Sequence, residues 1–522
     1  MKKLISVVLL LSLSTVIVTP TAVAGEGKFP SESACKNQNL NQIHKLQRCV
    51  NADDVFEHLQ AFQAIADANG GTRASGTPGY NESADYVAGL LENAGFNVER
   101  QEFSFSTYTE NSSSLIVDSL SVPTQTFTYS ASGIVTDGNV IAVDLDLGPG
   151  NSSTSGCEAS DFDGFDWSGL DDIALIQRGA CAFGAKALNA KAAGAEAVVI
   201  FNQGNADGRY DIINGTLGEG VVGVLTIPVL DTSYNDGLVL LAAATVSLSV
   251  DADTDTHITE NVIADLPGVN PDNVAMAGAH LDSVSEGPGI NDGGSGAAAL
   301  LTVALQLGNN KKYTPQNTLR FAWWGGHESG LIGSTEYIFN PDFGITDEEY
   351  FALALYLDFA SIGSPNFIFG VYDADESSAP APIPVPPGSV ALEDLFEAYY
   401  SIEGVPYDDF GFNGRSDYQP FVNVGIPSGG LFTGAEGIKT DEQAAIWGGT
   451  SGDQYDPCYH LACDTFDNVS VEAIEVNVDA IAYAIYNLAA TTEAVNGVEG
   501  VEAKGITPDE VVPDGPQGTF LP

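Results

Sequence analysis

The sequence has few basic residues: 18 Lys and Arg stand against 70 Asp and Glu, so the 522-residue chain carries a formal net charge of −52. A surface of this sign repels nucleic acids and anionic membranes and keeps a protein soluble by self-repulsion. Added salt screens the repulsion, so the composition fits a protein adapted to salty water. We therefore expect neither nucleic acid nor a membrane among its partners. A calcium-binding surface protein is an alternative that rests on charge alone.

Long apolar runs are also scarce. One such run, LISVVLLLSLSTVIV, follows two lysines and leads to an Ala-Val-Ala sequence that ends at Ala24. A basic start, an apolar stretch and small residues are typical of a secretory signal peptide, here residues 1–24. The run has about 15 residues and a membrane-spanning helix needs roughly 20, so a membrane anchor is the poorer interpretation. The sequence predicts a soluble mature protein that is exported to the periplasm or the medium.

Cysteine is limited to six residues, and the sequence contains no C-x-x-C motif. Thiolate ligands for a metal are therefore a weak interpretation, whereas disulfides are expected in an exported protein. Six cysteines permit fifteen pairings, so proximity in the sequence is the one guide to them. It favours the pairs Cys35 with Cys49, Cys157 with Cys181, and Cys458 with Cys463.

The pattern of apolar residues divides the chain into segments of different character. Near the N-terminus, apolar residues three and four apart predict helices, and short apolar runs separated by glycine-rich turns then predict a small β-rich module. Beyond it, apolar strands alternate with helices, which predicts an α/β domain: a mixed, largely parallel sheet with helices on both faces. The predicted segments are 1–24 (signal peptide), 25–129 (N-terminal segment and first part of the α/β domain), 130–252 (β-rich module), 253–493 (rest of the α/β domain) and 494–522 (acidic tail, disordered).

Residues that bind metals follow several of the predicted strands, and open α/β sheets place their ligand sites at the carboxyl ends of strands. One imidazole and one carboxylate on each side of a central aspartate is the set that two zinc ions need. Asp282 is placed to hold an imidazole by its second nitrogen. Any one of these residues alone would be read as a surface charge or a buried polar group. The candidates are His280 and Asp282 after VAMAGA, Asp292 in GINDGGSG, Glu328 after LRFAWWGG, and His460 in DPCYHLACD.

Seven segments carry a resemblance to a known family: GAHLDSV, GPGINDGGSGAAALL, LRFAWWGGHESGLIGS, LYLDFASIGSPN, GRSDYQPF, GIPSGGLFTGAEGIKT and YDPCYHLACD. They resemble the secreted bacterial di-zinc aminopeptidases of the leucyl aminopeptidase type, over about residues 50 to 490. The β-rich module, 130–252, resembles the protease-associated domain often inserted in these chains. The resemblance implies a zinc-exopeptidase fold that hydrolyses N-terminal, bulky apolar residues from peptides with a zinc-activated water. We expect a monomer that acts on peptide or protein N-termini.

The resemblance also implies roles for individual residues. Two zinc ions would share Asp292 as a bridging ligand. Glu328 and His460 would complete one position, and His280 would serve the other. Three further residues would act on the substrate: Tyr459 on the oxyanion, Arg415 on the free amine and backbone, and Phe432 in the pocket for the N-terminal side chain.

The chain departs from the family pattern at the catalytic base. The family reads Trp-Gly-Ala-Glu-Glu, whose first glutamate is the general base, whereas this chain has Gly326, His327 and Glu328 there. Histidine has an ordinary pKa near 6.5 and can act as a base with a different geometry. The ligand Glu328 remains. Tyr418 also stands where the family usually has histidine.

A second departure removes a metal ligand. The family has aspartate and methionine where this chain has Ala360 and Ser361. Asp358, two residues earlier, points to the same strand face but lies about 6.6 Å back along the strand, so it reaches the site only if the backbone shifts. We expect one tightly bound zinc and a second that is weak or absent. The alternative function is an impaired or inactive homologue that binds peptides or acts as an interaction protein.

Overall fold

The computed structural model describes residues 30–206, 208–378, 380–381, 383–501 and 519–520. The predicted signal peptide lies outside this part of the chain. The helices in it are α1 (Glu32–Asn37), α2 (Ile43–Gln47), α3 (Ala52–Ala68), α4 (Pro78–Ala94), α5 (Phe183–Ala193), α6 (Tyr234–Leu240), α7 (Gly294–Asn309), α8 (Ile332–Phe339), α9 (Asp347–Ala352), α10 (Ser389–Glu403), α11 (Tyr418–Asn423), α12 (Asp441–Trp447), α13 (Val471–Ala490) and α14 (Glu493–Asn496). The strands are β1 (Asn97–Val117), β2 (Leu120–Val122), β3 (Gln125–Thr126), β4 (Gly133–Val143), β5 (Asp172–Gln177), β6 (Ala197–Phe201), β7 (Val229–Thr232), β8 (Val246–Leu266), β9 (Asn270–His280), β10 (Asn317–Trp324), β11 (Leu353–Phe359), β12 (Gly370–Asp373), β13 (Asp408–Gly411), β14 (Ser428–Phe432) and β15 (Thr519–Phe520).

The α/β domain is built on a mixed sheet in the order β15-β13-β12-β14-β11-β9-β10-β8. Strands β10, β9, β11 and β14 run parallel, and β8 and β12 are antiparallel to their neighbours in this group. The parallel strands are buried along almost their whole length, as expected for a sheet covered on both faces. The predicted mixed, largely parallel sheet is confirmed.

A long ribbon joins this domain to the β-rich module. Strand β8 pairs with β1 along nearly its full length, and β1 is one strand of 21 residues. The C-terminal part of β8 pairs with β10, while its N-terminal part pairs with β4 of the module. The module continues with the parallel strands β4, β5, β6 and β7, and α5 packs beside them.

The three disulfides are the pairs that sequence proximity favours. They join Cys35 to Cys49, Cys157 to Cys181, and Cys458 to Cys463. The first connects α1 to the turn after α2, the second lies in the β-rich module, and the third closes a loop of the α/β domain. The predicted pairing is confirmed.

Helix α4 begins at Pro78 because Thr77 caps it by accepting a hydrogen bond from the Tyr80 amide. Proline at the first helical position needs no amide partner and already has a helical φ. Disorder is predicted for 494–522, whereas the structure places the end of α14 there and pairs β15 with β13. Residues 502–518 lie outside the described residues.

Arg73 anchors the loop between β9 and α7 from the connection between α3 and α4. Its side chain is completely buried, and the guanidinium lies over the Phe62 ring at 5.0 Å. It donates hydrogen bonds to three backbone carbonyls of this loop, those of Leu281, Pro288 and Gly289. A buried arginine with three carbonyl acceptors holds a loop whose two ends carry candidate metal ligands.

We expect Arg73→Met to lower the free energy of unfolding by on the order of 3 kcal/mol, because it leaves three buried carbonyl oxygens without a donor. Urea unfolding followed by tryptophan fluorescence measures this loss. Arg100→Met is the matched control: Arg100 is 39% exposed and pairs with Asp85 and Glu260. Its loss should stay below about 1 kcal/mol. Equal losses in the two variants would contradict the anchoring role.

Candidate metal centre

Four side chains converge beyond the carboxyl ends of neighbouring strands. His280 is the last residue of β9, Asp292 directly precedes α7, Glu328 follows β10, and His460 lies in the loop closed by Cys458–Cys463. His460 Nε2 lies 3.2 Å from Asp292 Oδ2 and 3.1 Å from Glu328 Oε2. His280 Nε2 lies 3.5 Å from the other oxygen, Asp292 Oδ1. The two oxygens of Asp292 therefore face different imidazoles.

The donor atoms of this group suit a metal ion. Within the described residues, His280 Nε2, Asp292 Oδ2 and Glu328 Oε1 are buried without a hydrogen-bond partner. Ligand atoms on a tetrahedral zinc ion, at about 2.0–2.1 Å from it, lie about 3.3 Å apart, close to the separations seen here. A mixed set of imidazole nitrogens and carboxylate oxygens suits zinc, whereas calcium prefers oxygen ligands alone. The residues present therefore fit a zinc ion.

The carboxylates of Asp292 and Glu328 favour a cation beside them. Burial lowers the pKa of His460, but the carboxylates of Asp292 and Glu328 outweigh it and raise the pKa to about 10. Burial and the charge of Asp292 both raise the pKa of Glu328. The carboxylates of Asp292 and Glu328 thus create a negative potential around His460.

Backbone conformation brings Asp292 close to His280. Gly293 has a φ of +78°, and a Cβ atom built there would lie 2.4 Å from the His280 ring. Glycine, which has no side chain and adopts positive φ readily, permits this close approach. Asp464 then fixes the turn, because its two oxygens accept the backbone amides of Asn291 and Asp292 at 2.9 Å each. Sequence reasoning missed Asp464, although it ends the same DPCYHLACD motif that supplies His460.

Asp282 contacts two parts of the site. Its Oδ1 lies 3.8 Å from Nδ1 of His280, the imidazole that it is predicted to hold, which is within ion-pair distance if the ring is protonated. The carboxylate also accepts the backbone amides of His327 and Glu328, each at 3.2 Å. The backbone carbonyl of Asp282 faces His280 Nδ1 as well, at 3.2 Å. Asp282 therefore connects the His280 strand to the loop that carries Glu328.

His327, at the position of the family base, is held by a carboxylate. Its Nδ1 lies 2.8 Å from Asp417 Oδ2, and its ring stacks on His280 with centroids 3.7 Å apart. Ser334 donates to the other Asp417 oxygen at 2.5 Å. Burial and His280 lower the pKa of His327, but Asp417 outweighs them, so this pKa is raised above its ordinary value. Sequence reasoning missed Asp417, which follows Arg415 by two residues in the quoted GRSD segment.

The structure does not bring Asp358 into the group of His280, Asp292 and Glu328. Asp358 pairs with Gly278, two residues before His280, and accepts a hydrogen bond from the Tyr356 hydroxyl at 3.0 Å. Burial, and then the charge of Asp417, raise the pKa of Asp358 to about 7. The backbone shift that Asp358 needs to reach the site is not seen, and the position of the family aspartate stays without a ligand.

Ala360 and Ser361 follow the end of β11 beside the metal centre. Ala360 is buried and lines the adjoining pocket, where its methyl group has no atom that binds a metal. Ser361 Oγ donates to Asp292 Oδ1 at 3.2 Å, on the side that faces His280. The half of the centre near His280 is therefore poorer in ligands than the half near His460.

A pocket with aromatic walls opens beside the centre, and the three predicted substrate-binding residues line it. Phe432 packs against Phe410 with ring centroids 4.6 Å apart. Tyr459 stacks on His460 at 3.9 Å. Arg415 is 59% exposed and pairs with Glu436 at 2.5 Å. The pocket thus joins an apolar wall, a charged rim and the group of metal ligands.

Comparisons with known proteins agree with this geometry. The profile of Peptidase family M28 matches residues 261–485, and that of the PA domain matches residues 136–240, inside the predicted module. An "Aminopeptidase" of Pseudomonas aeruginosa is 45% identical over 478 residues, covering 90% of this chain and 86% of its own. A "Probable lipoprotein aminopeptidase LpqL" of Mycobacterium tuberculosis is 40% identical over 87% of this chain and 88% of its own.

Solved structures show the same fold. The aminopeptidase from Aneurinibacillus sp. strain AM-1 superposes with a TM-score of 0.59 at 26% identity, covering 88% of this chain and 99% of that one. BSAP, described as a zinc aminopeptidase from Bacillus subtilis, has a TM-score of 0.50 at 21% identity and covers 84% of this chain and 95% of its own. The chain therefore belongs to peptidase family M28, is a relative of its metallo-aminopeptidases, and carries an inserted PA domain.

Proposed function

We propose that this chain is an exported zinc aminopeptidase that removes bulky apolar residues from the N-termini of peptides, acting as a monomer with one tightly bound zinc. The observation that carries the proposal is the convergence of His460 on Asp292 and Glu328, two residues with buried, unpartnered oxygens, beside a pocket with aromatic walls. A bound zinc ion would polarise the substrate carbonyl and activate water.

The ligand geometry supports one zinc rather than two. Asp292 Oδ2, Glu328 and His460 supply three protein ligands, which is the number that a catalytic zinc keeps while one position stays open. On the other side, His280 Nε2 faces Asp292 Oδ1. The Ser361 hydroxyl already donates a hydrogen bond to the same oxygen. Ala360 offers no ligand there. We assign the tight position to the first set.

His327 is the proposed general base. Because Nδ1 faces the Asp417 carboxylate at 2.8 Å, it acts as the donor, and the proton-free nitrogen of the neutral ring is Nε2. Asp417 thus selects the tautomer and orients the ring, while Ser334 holds Asp417. His327 lines the pocket next to Asp292, so a water bound between them is within its reach.

The pocket supports an apolar N-terminal residue as substrate. Phe410, Phe432 and Tyr372 form its aromatic wall. Burial raises the pKa of Tyr459, and the charges of Asp292, Glu328 and Glu436 raise it further. The same negative potential attracts the free ammonium group of a peptide. This attraction offsets in part the loss of the family aspartate, which helps to hold the substrate amine and is replaced here by Ala360.

Export is supported by the three disulfides, which persist in oxidising compartments. The described residues contain no helix of the length and hydropathy that a bilayer crossing requires. The signal peptide stays a prediction, since residues 1–24 lie outside the described part of the chain.

The second candidate is an inactive homologue that binds peptides, and the losses at His327 and Ala360 favour it. The two candidates differ in their response to restoration. His327→Glu combined with Ala360→Asp should raise turnover strongly in a relic of the family site. In a site that works with His327 and Asp417, the same pair should gain little or lose activity.

We expect the purified mature chain to hold one zinc, measured by inductively coupled plasma mass spectrometry after gel filtration. Glu328→Gln and His460→Ala should lose this zinc because each removes a ligand. Asp358→Asn is the matched control, a buried carboxylate that lies outside the group, and it should keep the zinc. Two zinc ions per chain would show that the second position is complete. Loss of zinc in Asp358→Asn would show that Asp358 is a ligand, and either result would contradict the assignment.

We expect His327→Gln to lower kcat for leucyl-p-nitroanilide by about 100- to 10,000-fold at unchanged zinc content, which is the usual contribution of a general base. Asp417→Asn should lower kcat in the same direction. The base must be neutral, so kcat/KM of the native chain should rise with pH through the His327 pKa. In His327→Glu this acid limb should move to lower pH. A zinc-loaded native chain without turnover would support the inactive homologue, and an unmoved acid limb would indicate another base.

A further inference from the structure

A second group of carboxylates lies where β12, α10 and β13 meet, apart from the zinc ligands. One oxygen each of Glu393, Glu397 and Asp409 lie within 4.8 Å of one another, and the same holds for Asp373, Asp375 and Glu393. Glu393 and Glu397 are one turn apart on α10, Asp409 is on β13, and Asp373 ends β12. Glu393 belongs to both sets, so the five side chains form one cluster, named here the α10 acidic cluster.

Asp409 has an oxygen without a partner inside this cluster. The residue is 1% exposed, and its Oδ2 accepts a hydrogen bond from Ser377 at 2.6 Å. Its Oδ1 is buried, and none of the described residues donates a hydrogen bond to it. A buried carboxylate oxygen without a donor is costly, and more so beside other carboxylates. A cation bound at this oxygen would offset that cost.

The described side chains supply no such cation. Among the ion pairs of the described residues, none involves Glu393, Glu397 or Asp409. Burial, and then the charge of Asp375, raise the pKa of Glu393 to about 9. Burial likewise raises the pKa of Glu397 to about 7 and that of Asp409 to about 6. These shifts show how unfavourable three charges are here without a counter-ion.

We propose that the α10 acidic cluster binds a calcium ion. Calcium takes six to eight oxygen ligands at about 2.3–2.6 Å, so oxygens on opposite sides of the ion are about 4.8 Å apart. The donors here are carboxylate oxygens, with no nitrogen or sulfur, which favours calcium over zinc. Asp375 is exposed and Glu397 half-buried, so the cluster is open to solvent on one side. Water can complete the coordination there.

The ion would connect three elements that shape the substrate pocket. Asp373 and Asp409 directly follow or precede the pocket residues Tyr372 and Phe410, which are opposite each other in the β12–β13 pair. Calcium would hold both strands against α10. This consequence for the pocket rests on the proposed aminopeptidase function, whereas the binding of calcium does not.

Calorimetric titration tests the site. The zinc-loaded mature chain in calcium-free buffer is titrated with calcium chloride and, separately, with magnesium chloride. We expect Asp409→Asn and Glu393→Gln to lose one calcium per chain relative to the native protein, with weaker or no binding of magnesium. Asp172→Asn is the matched control, since Asp172 of β5 is 3% exposed and also has an unpartnered oxygen, but belongs to no such cluster among the residues that the structure describes. It should bind as much calcium as the native chain.

Thermal unfolding separates loss of the ion from loss of the fold. Millimolar calcium should raise the Tm of the native chain by several degrees and leave that of Asp409→Asn unchanged. In calcium-free buffer, Asp409→Asn should melt at or above the native temperature, because one repelling carboxylate has gone. Equal calcium binding in the native chain and both variants, no binding by the native chain, or tighter binding of magnesium would overturn the proposal. Zinc content and leucyl hydrolysis, measured on the same samples, report the proposed function independently.

Discussion

The position of one carboxylate, that of Asp292, decides what this centre can bind. One of its oxygens faces His280 and the other faces His460, so both halves of the site depend on it. Asp464 fixes its backbone, and the conformation of Gly293 brings it against the His280 ring. Arg73 holds the loop that separates it from β9. Several buried interactions therefore serve to present a single side chain.

The departures from the family pattern are connected through the same carboxylate. Replacement of the family aspartate and methionine by Ala360 and Ser361 removes a ligand near His280 and adds a hydroxyl that donates to Asp292. On the opposite side, Glu328 and His460 keep their approach to it. His327 stacks on His280 and is held by Asp417. The site has lost one ligand near His280, and on that side it gains an oriented histidine.

Much of the site could be predicted from the sequence because its residues directly follow strands or sit in short motifs. His280, Asp292, Glu328 and His460 are of this kind, and the disulfides follow from short separations. Contacts between distant segments could not be predicted. Asp417 lies 90 residues from His327, and nothing local indicates that they meet.

Other details depend on geometry that a sequence pattern does not contain. Asp282 faces His280 with both its carboxylate and its backbone carbonyl, and the same carboxylate accepts the His327 amide, a contact that the sequence does not indicate. Asp358 shares a strand face with Ala360 but lies two residues earlier, where it accepts a hydrogen bond from the Tyr356 hydroxyl. The acidic composition indicated calcium only in general terms. The structure places five of those carboxylates, Glu393 among them, in one cluster.

Anomalous diffraction at the zinc edge, from crystals grown with zinc, tests the central claim most directly. The account predicts one strong peak, bounded by Asp292, Glu328 and His460, with little density beside His280. Two peaks of equal height, the second held by His280 with Asp292 or Asp358, would contradict it, because the half of the site at Ala360 would then bind metal as well as the other.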